Sequence, residues 1–185
     1  ISDELKVRDF FSKSYFDYIV NLSGYIMHNN IIDNGSFIFK SHFNGIFNIL
    51  ENTKNNPPKT LVTLGSSDEY GGQYSPQKEI YREDPKTPYA LAKTIGTKLC
   101  QMCHSSINYP CVVLRPFLVF GPGQKEDRLI PYVIRSCLKN QEFKISSGQQ
   151  YRDFIYIENL INYIITCLGN ANIYGEVLNV GSGEK

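Results

Sequence analysis

Tyr89 and Lys93 stand four residues apart in Thr87-Pro88-Tyr89-Ala90-Leu91-Ala92-Lys93, the spacing of neighbours on one helix face. Thr87 supplies an N-cap and Pro88 suits the first helical position, so the local sequence predicts a helix beginning at Pro88. An ammonium beside a phenol favours the phenolate and lowers the tyrosine pKa toward working pH, which makes the phenol a general acid or base. A second hydroxyl lies upstream. Leu61-Val62-Thr63-Leu64 reads as a short buried strand that runs into Gly65-Ser66-Ser67-Asp68-Glu69-Tyr70-Gly71. Ser66, at the carboxyl end of that strand, can reach across a cleft to hydrogen-bond the same substrate oxygen. The chemistry of such a set is proton transfer at a hydroxyl or a carbonyl.

With 13 tyrosines in the chain, about one Tyr-x-x-x-Lys pair arises by chance, so the pair needs its context. The context is a frame of strands alternating with helical patterns. Residues 1–13 read as a turn and a helix. Tyr18-Ile19-Val20-Asn21-Leu22-Ser23-Gly24 reads as a buried parallel strand entering a turn of small residues. Phe39, Phe43, Phe47, Ile49 and Leu50 have helical spacing, and residues 52–60 form a polar loop. Residues 71–87 are rich in glycine, proline and charge and read as a surface loop over the cleft. Cys111 to Phe117 is the next strand, Gly121-Pro122-Gly123-Gln124 a turn, and Leu129 to Leu138 a helix. Phe143-Lys144-Ile145 and Tyr151 to Ile157 read as strands, residues 158–168 as a helix, and Val177 to Gly183 as a strand and turn. This alternation predicts βαβ units in a doubly wound parallel sheet, whose sites lie at the carboxyl ends of strands. Gly24, Ser66 and Phe117 all fall at such ends.

Composition narrows the class. The 185 residues make one domain or one and a half, with 42% hydrophobic and 13% aromatic residues available for a core. A net charge of +1 gives no electrostatic footprint for nucleic acid or an anionic membrane surface. No apolar run approaches the roughly 20 residues that span a bilayer. Five cysteines, an odd number, read as free thiols in a reducing, cytoplasmic setting. Cys100-Gln101-Met102-Cys103-His104 matches the haem-attachment pattern, but it continues the Tyr89 helix, whose apolar stripe is Ile95, Leu99 and Met102. No cysteine or histidine cluster has metal-ligand spacing, so no metal is expected.

Taken together and in order, the Ser66 turn (Ser66-Ser67-x-x-Tyr70-Gly71), Pro88-Tyr89-Ala90-x-x-Lys93, and Val112-Val113-Leu114-Arg115-Pro116-Phe117-x-x-Phe120-Gly121-Pro122-Gly123 resemble the extended short-chain dehydrogenase/reductase family of nucleotide-sugar epimerases, dehydratases and ketoreductases. The resemblance runs from about residue 15 to the end. It implies an α/β, Rossmann-like doubly wound parallel sheet without its first βαβ unit, carrying part of a small C-terminal substrate-binding lobe. The expected division is residues 1–120 for the partial NAD(P)-binding domain and 121–185 for the lobe interleaved with the last Rossmann elements. Ser66, Tyr89 and Lys93 would be catalytic. Leu22, Ser23, Gly24, Pro116 and Phe117, with Tyr89 and Lys93, would contact NAD or NADP. Ser66, Ser67, Asp68, Arg128, Leu129 and Arg152 would contact the nucleotide sugar. Family members are often homodimers through helices that include the one bearing Tyr89. His42 replaces the asparagine usual three residues before the glycine of the family's second helix, and is left outside the predicted site.

A Gly-x-Gly-x-x-Gly turn, which seats a cofactor pyrophosphate on a helix N-terminus, is absent: Gly121-x-Gly123 and Gly181-x-Gly183 lack the third glycine. The family places that turn upstream of residue 1 and continues its substrate lobe beyond residue 185, so the chain reads as a piece that alone binds cofactor poorly. Dehydratases carry an Asp-Glu pair directly after the catalytic Ser or Thr, where this chain has Ser67 and Asp68. Leu118-Val119 stand where epimerases and dehydratases often place an asparagine. The expected reaction is therefore reduction of a 4-keto-6-deoxy nucleotide sugar, with 4-epimerisation the alternative and a degenerate binding protein the non-enzyme reading.

Overall fold

The computed structural model describes residues 1–25 and 31–183. Its centre is a four-stranded, all-parallel sheet in the order β1 (Tyr18–Asn21), β2 (Thr60–Leu64), β3 (Cys111–Pro116), β6 (Val177–Val180). The register sets Leu61 beside Cys111 and Leu64 beside Leu114. Successive side chains on a strand point to opposite faces, and both faces of β2 and β3 are covered. Leu61, Cys111 and Val113 pack with Ile46, Ile49 and Leu50 of helix α2 (Ser36–Thr53) and Cys100 of α3 (Pro88–Ile107). Val62, Val112 and Leu114 pack on the other side with Leu160, Ile164 and Cys167 of α5 (Ile157–Cys167). Continuous apolar strands covered on both faces are the mark of a doubly wound parallel sheet. A further helix, α1 (Glu4–Lys13), is capped by Asp3.

The α3 helix starts as its sequence predicts. The Thr87 hydroxyl accepts from Ala90 N at 3.1 Å, and Pro88 occupies the first turn. It ends at Asn108, which takes the left-handed conformation (φ 53°) and donates its N–H to the last carbonyls. The first strand differs from expectation: Tyr18 and Val20 are 44% and 37% exposed. As the edge strand of this sheet, β1 lies beyond the cover that α5 gives β2 and β3.

Three other expectations are corrected. The strand predicted to reach Phe117 ends at Pro116, and Leu118–Phe120 forms β4, paired in parallel with β5 (Phe154–Tyr156) in a separate two-stranded sheet. The predicted strand at residues 151–157 shrinks to β5 because Ile157 opens α5. Residues 143–145 form no strand: they have no ladder partner, Phe143 meets the ring of Tyr132 edge-on, and Ile145 is 60% exposed. Helix α4 (Leu129–Leu138) lies where predicted. No helix among the described residues is long and apolar enough to cross a membrane.

Candidate active site

The carboxyl ends of β1 and β2 and the first turns of α3 enclose a small cleft lined by Asn21, Ser23, His42, Thr63, Gly65 and Lys93, among others. Its polar wall is tied together. Asn21 Nδ2 donates to Thr63 Oγ1 at 3.1 Å, and Ser23 Oγ donates to Asn21 Oδ1 at 2.6 Å.

Immediately after β2 the chain turns through a single 3-10 turn at Ser67–Tyr70, with Ser66 as its N-cap. The Ser66 hydroxyl accepts from Asp68 N (3.2 Å), and Glu69 Oε1 accepts from Ser66 N (2.8 Å). These reciprocal bonds make a capping box, which fixes where the Ser66 hydroxyl points. That hydroxyl is hydrogen-bonded to the phenol of Tyr89.

Tyr89 is buried (7% exposed), and the sequence reading of its acidity is corrected here. Burial raises its pKa, with the charges of Asp68 and Glu69 acting the same way; the Ser66 hydrogen bond and the Arg128 charge oppose them. The Lys93 ammonium lies 5.9 Å from the Tyr89 ring centroid and donates to Leu64 O at 2.7 Å. It is thus anchored at the end of β2 and not on the phenol oxygen. Burial lowers its own pKa to about 8, with Glu69 as the opposing pull.

The structure brings Ser66, Tyr89 and Lys93 together and sets Ser23 in the same cleft. Gly24 follows with φ +127°, where a Cβ would fall 1.9 Å from the His42 ring; only glycine fits both the dihedral and the space. Leu22 is 63% exposed at the cleft rim. Ser67 and Asp68 lie on the turn itself, and Arg128, preceding α4, acts on Tyr89 through its charge. Leu129, first residue of α4, is half exposed, and Pro116 and Phe117 are half-buried at the end of β3. Arg152 is not drawn into the site: it is exposed, and its Nη1 donates to the neighbouring Tyr151 carbonyl. Asp153 turns instead to the loop after β6, accepting from Ser182 N, Ser182 Oγ and Gly183 N at 2.7–3.0 Å.

His42 belongs to the site although the sequence reading set it aside. Its ring meets Tyr89 edge-on at 5.1 Å, and its Nε2–H donates to Tyr25 O at 2.9 Å, which fixes the tautomer. Burial, reinforced by the Lys93 charge, lowers its pKa. Its position four residues before Ile46, on the α2 face that meets α3, was the available signal. Arg115 was also missed. Fully buried at the end of β3, it donates to Glu69 (Nε 3.0 Å, Nη2 2.7 Å) and to Glu83 (Nη2 2.7 Å), and stacks over Tyr70 at 4.8 Å.

The haem-like pattern resolves into packing. Cys100 is fully buried in the core, and His104 Nδ1 bonds the Tyr109 carbonyl. Neither Gly121-x-Gly123 nor Gly181-x-Gly183 opens directly into a helix. All five cysteines are free, and no group of potential metal ligands exists among the described residues.

A family model for the NAD dependent epimerase/dehydratase family matches residues 1–181. The chain belongs to this family. The uncharacterized UDP-glucose epimerase YtcB of Bacillus subtilis (strain 168) is 33% identical over 74% of the chain and 44% of its own length. The UDP-glucuronate 4-epimerase of Thermodesulfobacterium geofontis (strain OPF15) is 32% identical over 78% of the chain and 45% of its length. GDP-6-deoxy-D-mannose reductase of Pseudomonas aeruginosa (strain PAO1) is 27% identical over 68% of the chain and 44% of its length. Among solved structures, UDP-glucuronic acid 4-epimerase from Bacillus cereus in complex with NAD superposes with a TM-score of 0.85 at 26% identity, covering 98% of this chain and 59% of that one. The chain thus spans less than half the length of these epimerase/dehydratase-family relatives. The family is one of enzymes, and the doubly wound sheet is its fold.

Proposed function

We propose that this chain carries the proton-transfer centre of an NAD(P)-dependent oxidoreductase acting on a nucleotide-activated sugar, with reduction of a 4-keto-6-deoxy sugar as its reaction. The observation that carries the reading is the hydrogen bond between the Ser66 and Tyr89 hydroxyls, set beside an anchored Lys93 at a strand's carboxyl end. Two hydroxyls that already share a proton can both address one substrate oxygen.

The cleft suits a nicotinamide dinucleotide in the chemistry of its donors: the Ser23 hydroxyl, the Asn21 amide and the Lys93 ammonium line one wall. Those residues, with Leu22, Gly24, Pro116 and Phe117 around them, would hold it. When bound, that cofactor supplies or takes up the hydride. Tyr89 donates its proton to the sugar oxygen as the carbonyl becomes an alcohol, and Ser66 holds that oxygen in line. A phenol kept protonated by burial starts in the acid form that reduction needs. Lys93 stays charged at neutral pH, since its pKa is about 8, and can donate to a ribose hydroxyl. Ser67 and Asp68 stand near the sugar, and Arg128 with Leu129 near the nucleotide. Arg152 would reach a diphosphate only by leaving the Tyr151 carbonyl.

The 4-epimerase reading is favoured by one specific observation. Two relatives above 30% identity, YtcB of Bacillus subtilis and the Thermodesulfobacterium geofontis protein, are named as epimerases. A homodimer is proposed through the outer face of α2 and α3, where Phe39, Phe43 and Phe47 stack in a row and Leu91 and Met102 are 43% and 51% exposed. Five free thiols fit a cytoplasmic protein.

The test is incubation of the intact protein with NADH or NADPH and a panel of nucleotide sugars, following the absorbance of the reduced cofactor. Stoichiometric oxidation with a keto sugar supports reduction. Exchange of C4 epimers without net oxidation moves the assignment to epimerisation. Silence with every sugar overturns both.

A further inference from the structure

Glu69 is the largest acidic side chain in the interior, 0% exposed, and nothing in the proton-transfer scheme uses it. One carboxylate oxygen accepts from Ser66 N at 2.8 Å. The other accepts from Arg115 Nε and Nη2 at 3.0 and 2.7 Å and from Thr97 Oγ1 at 2.9 Å. Three N–H donors converge on it, a set that only the ionised carboxylate satisfies fully. Burying such a group without need is unfavourable, and an apolar pair of similar volume would serve packing as well or better. Its position is informative. Glu69 ties the Ser66 turn to β3 through Arg115 and to α3 through Thr97, one helical turn beyond Lys93.

We infer that Glu69 is a positioning residue of the active site: its buried carboxylate, clamped by Arg115, fixes the backbone of Ser66 and serves as counter-charge to Lys93. The inference rests on the oxidoreductase reading for its meaning, but its electrostatic half can be measured without any substrate. The groups facing Glu69 are Arg115 from β3, Thr97 and Lys93 from α3, and Ser66 and Tyr89 across the turn. Glu83, on the loop over the cleft, bonds Arg115 and is matched by Lys98 at 2.8 Å. That loop therefore hangs from the same guanidinium that holds Glu69. Removing the Glu69 charge leaves Lys93 as a buried cation with less to stabilise it. Tyr89, against which the same charge works, becomes easier to ionise.

The experiment uses Glu69→Gln, which keeps an oxygen for the Ser66 N–H and deletes the charge. Trace acetylation of Lys93 by acetic anhydride, followed by mass spectrometry across pH, reads the amine's midpoint in the intact protein. The midpoint is expected near the wild-type value of about 8 before substitution. After it, a fall of at least about half a pH unit is expected, the scale of one charge across an effective dielectric of about 20. With substrate, kcat falls at least about tenfold with KM little changed, the pattern of an interaction made in the transition state, and the pH profile moves with the midpoint. Should Glu69→Gln not fold, Glu69→Gln with Arg115→Met removes the stranded cation and gives the same readouts. An unmoved Lys93 midpoint in the folded variant overturns the proposal, as does a moved midpoint with wild-type turnover. Tyr89→Phe is assayed alongside: if it retains turnover, the oxidoreductase reading fails, while the midpoint still decides the role of Glu69 as counter-charge.

Discussion

Replacing Lys93 with methionine is expected to stabilise the fold at pH 7 and to abolish turnover. The displacement of its pKa from 10.5 to about 8 by burial corresponds to about 3 kcal/mol of unfavourable interaction with the charged form. Methionine keeps much of the stem's packing and removes the charge. Against this stands the lost hydrogen bond to Leu64 O (2.7 Å), about 1 kcal/mol. A net gain of about 2 kcal/mol remains. The sign with pH follows from linkage. Below pH 8 the amine is charged in both folded and unfolded chains, so wild type carries the full penalty. Between pH 8 and 10.5 the folded form loses its proton first, wild type gains stability, and the variant's advantage shrinks toward nothing. Urea unfolding at pH 7 and at pH 10 reads both effects through the midpoint, provided the denaturant slope is unchanged. A variant less stable than wild type at pH 7 would refute the reasoning, and so would an advantage that persists undiminished at pH 10.

Other substitutions probe the remaining contacts. Ser66→Ala should lower kcat by about 100-fold, the lower end for a lost proton-transfer partner, while removing the cap on Asp68 N costs the fold only about 1 kcal/mol; steady-state kinetics and urea unfolding separate the two. His42→Phe should flatten the acid side of the stability curve. The folded imidazole has a lowered pKa, so wild type loses stability as pH falls below the unfolded value of about 6.5 and the variant does not. Thermal unfolding at pH 5 and 7 measures this. Arg115→Met strands Glu69 without its cation and should destabilise by about 3–5 kcal/mol, read as a lower urea midpoint.

Much of this was legible in the sequence where a local rule had no competitor. Thr87-Pro88 had to start a helix, and the apolar runs at residues 61–64 and 111–114 had to lie between two layers; together these place Ser66, Tyr89 and Lys93. What escaped was set by tertiary contact. Arg115, at the end of a buried strand, gave no hint that it would meet Glu69 from 46 residues away. His42 looked like one polar residue on an amphipathic helix until Gly24 and Tyr89 closed around it. The sense of the Tyr89 shift was misread because helical spacing sets Lys93 near the ring but not near its oxygen; the Leu64 carbonyl takes the ammonium, and burial decides. The three residues at 143–145 show the converse error, since alternation without a neighbouring strand to pair with cannot make a strand.

The most direct test of the central claim is Tyr89→Phe in the intact protein, assayed for NAD(P)H oxidation and for C4 epimer exchange with substrates on which wild type is active. The Ser66–Tyr89–Lys93 account predicts a loss of at least about 100-fold in kcat with an unchanged fold by circular dichroism. Turnover at the wild-type rate by a folded Tyr89→Phe protein would contradict it.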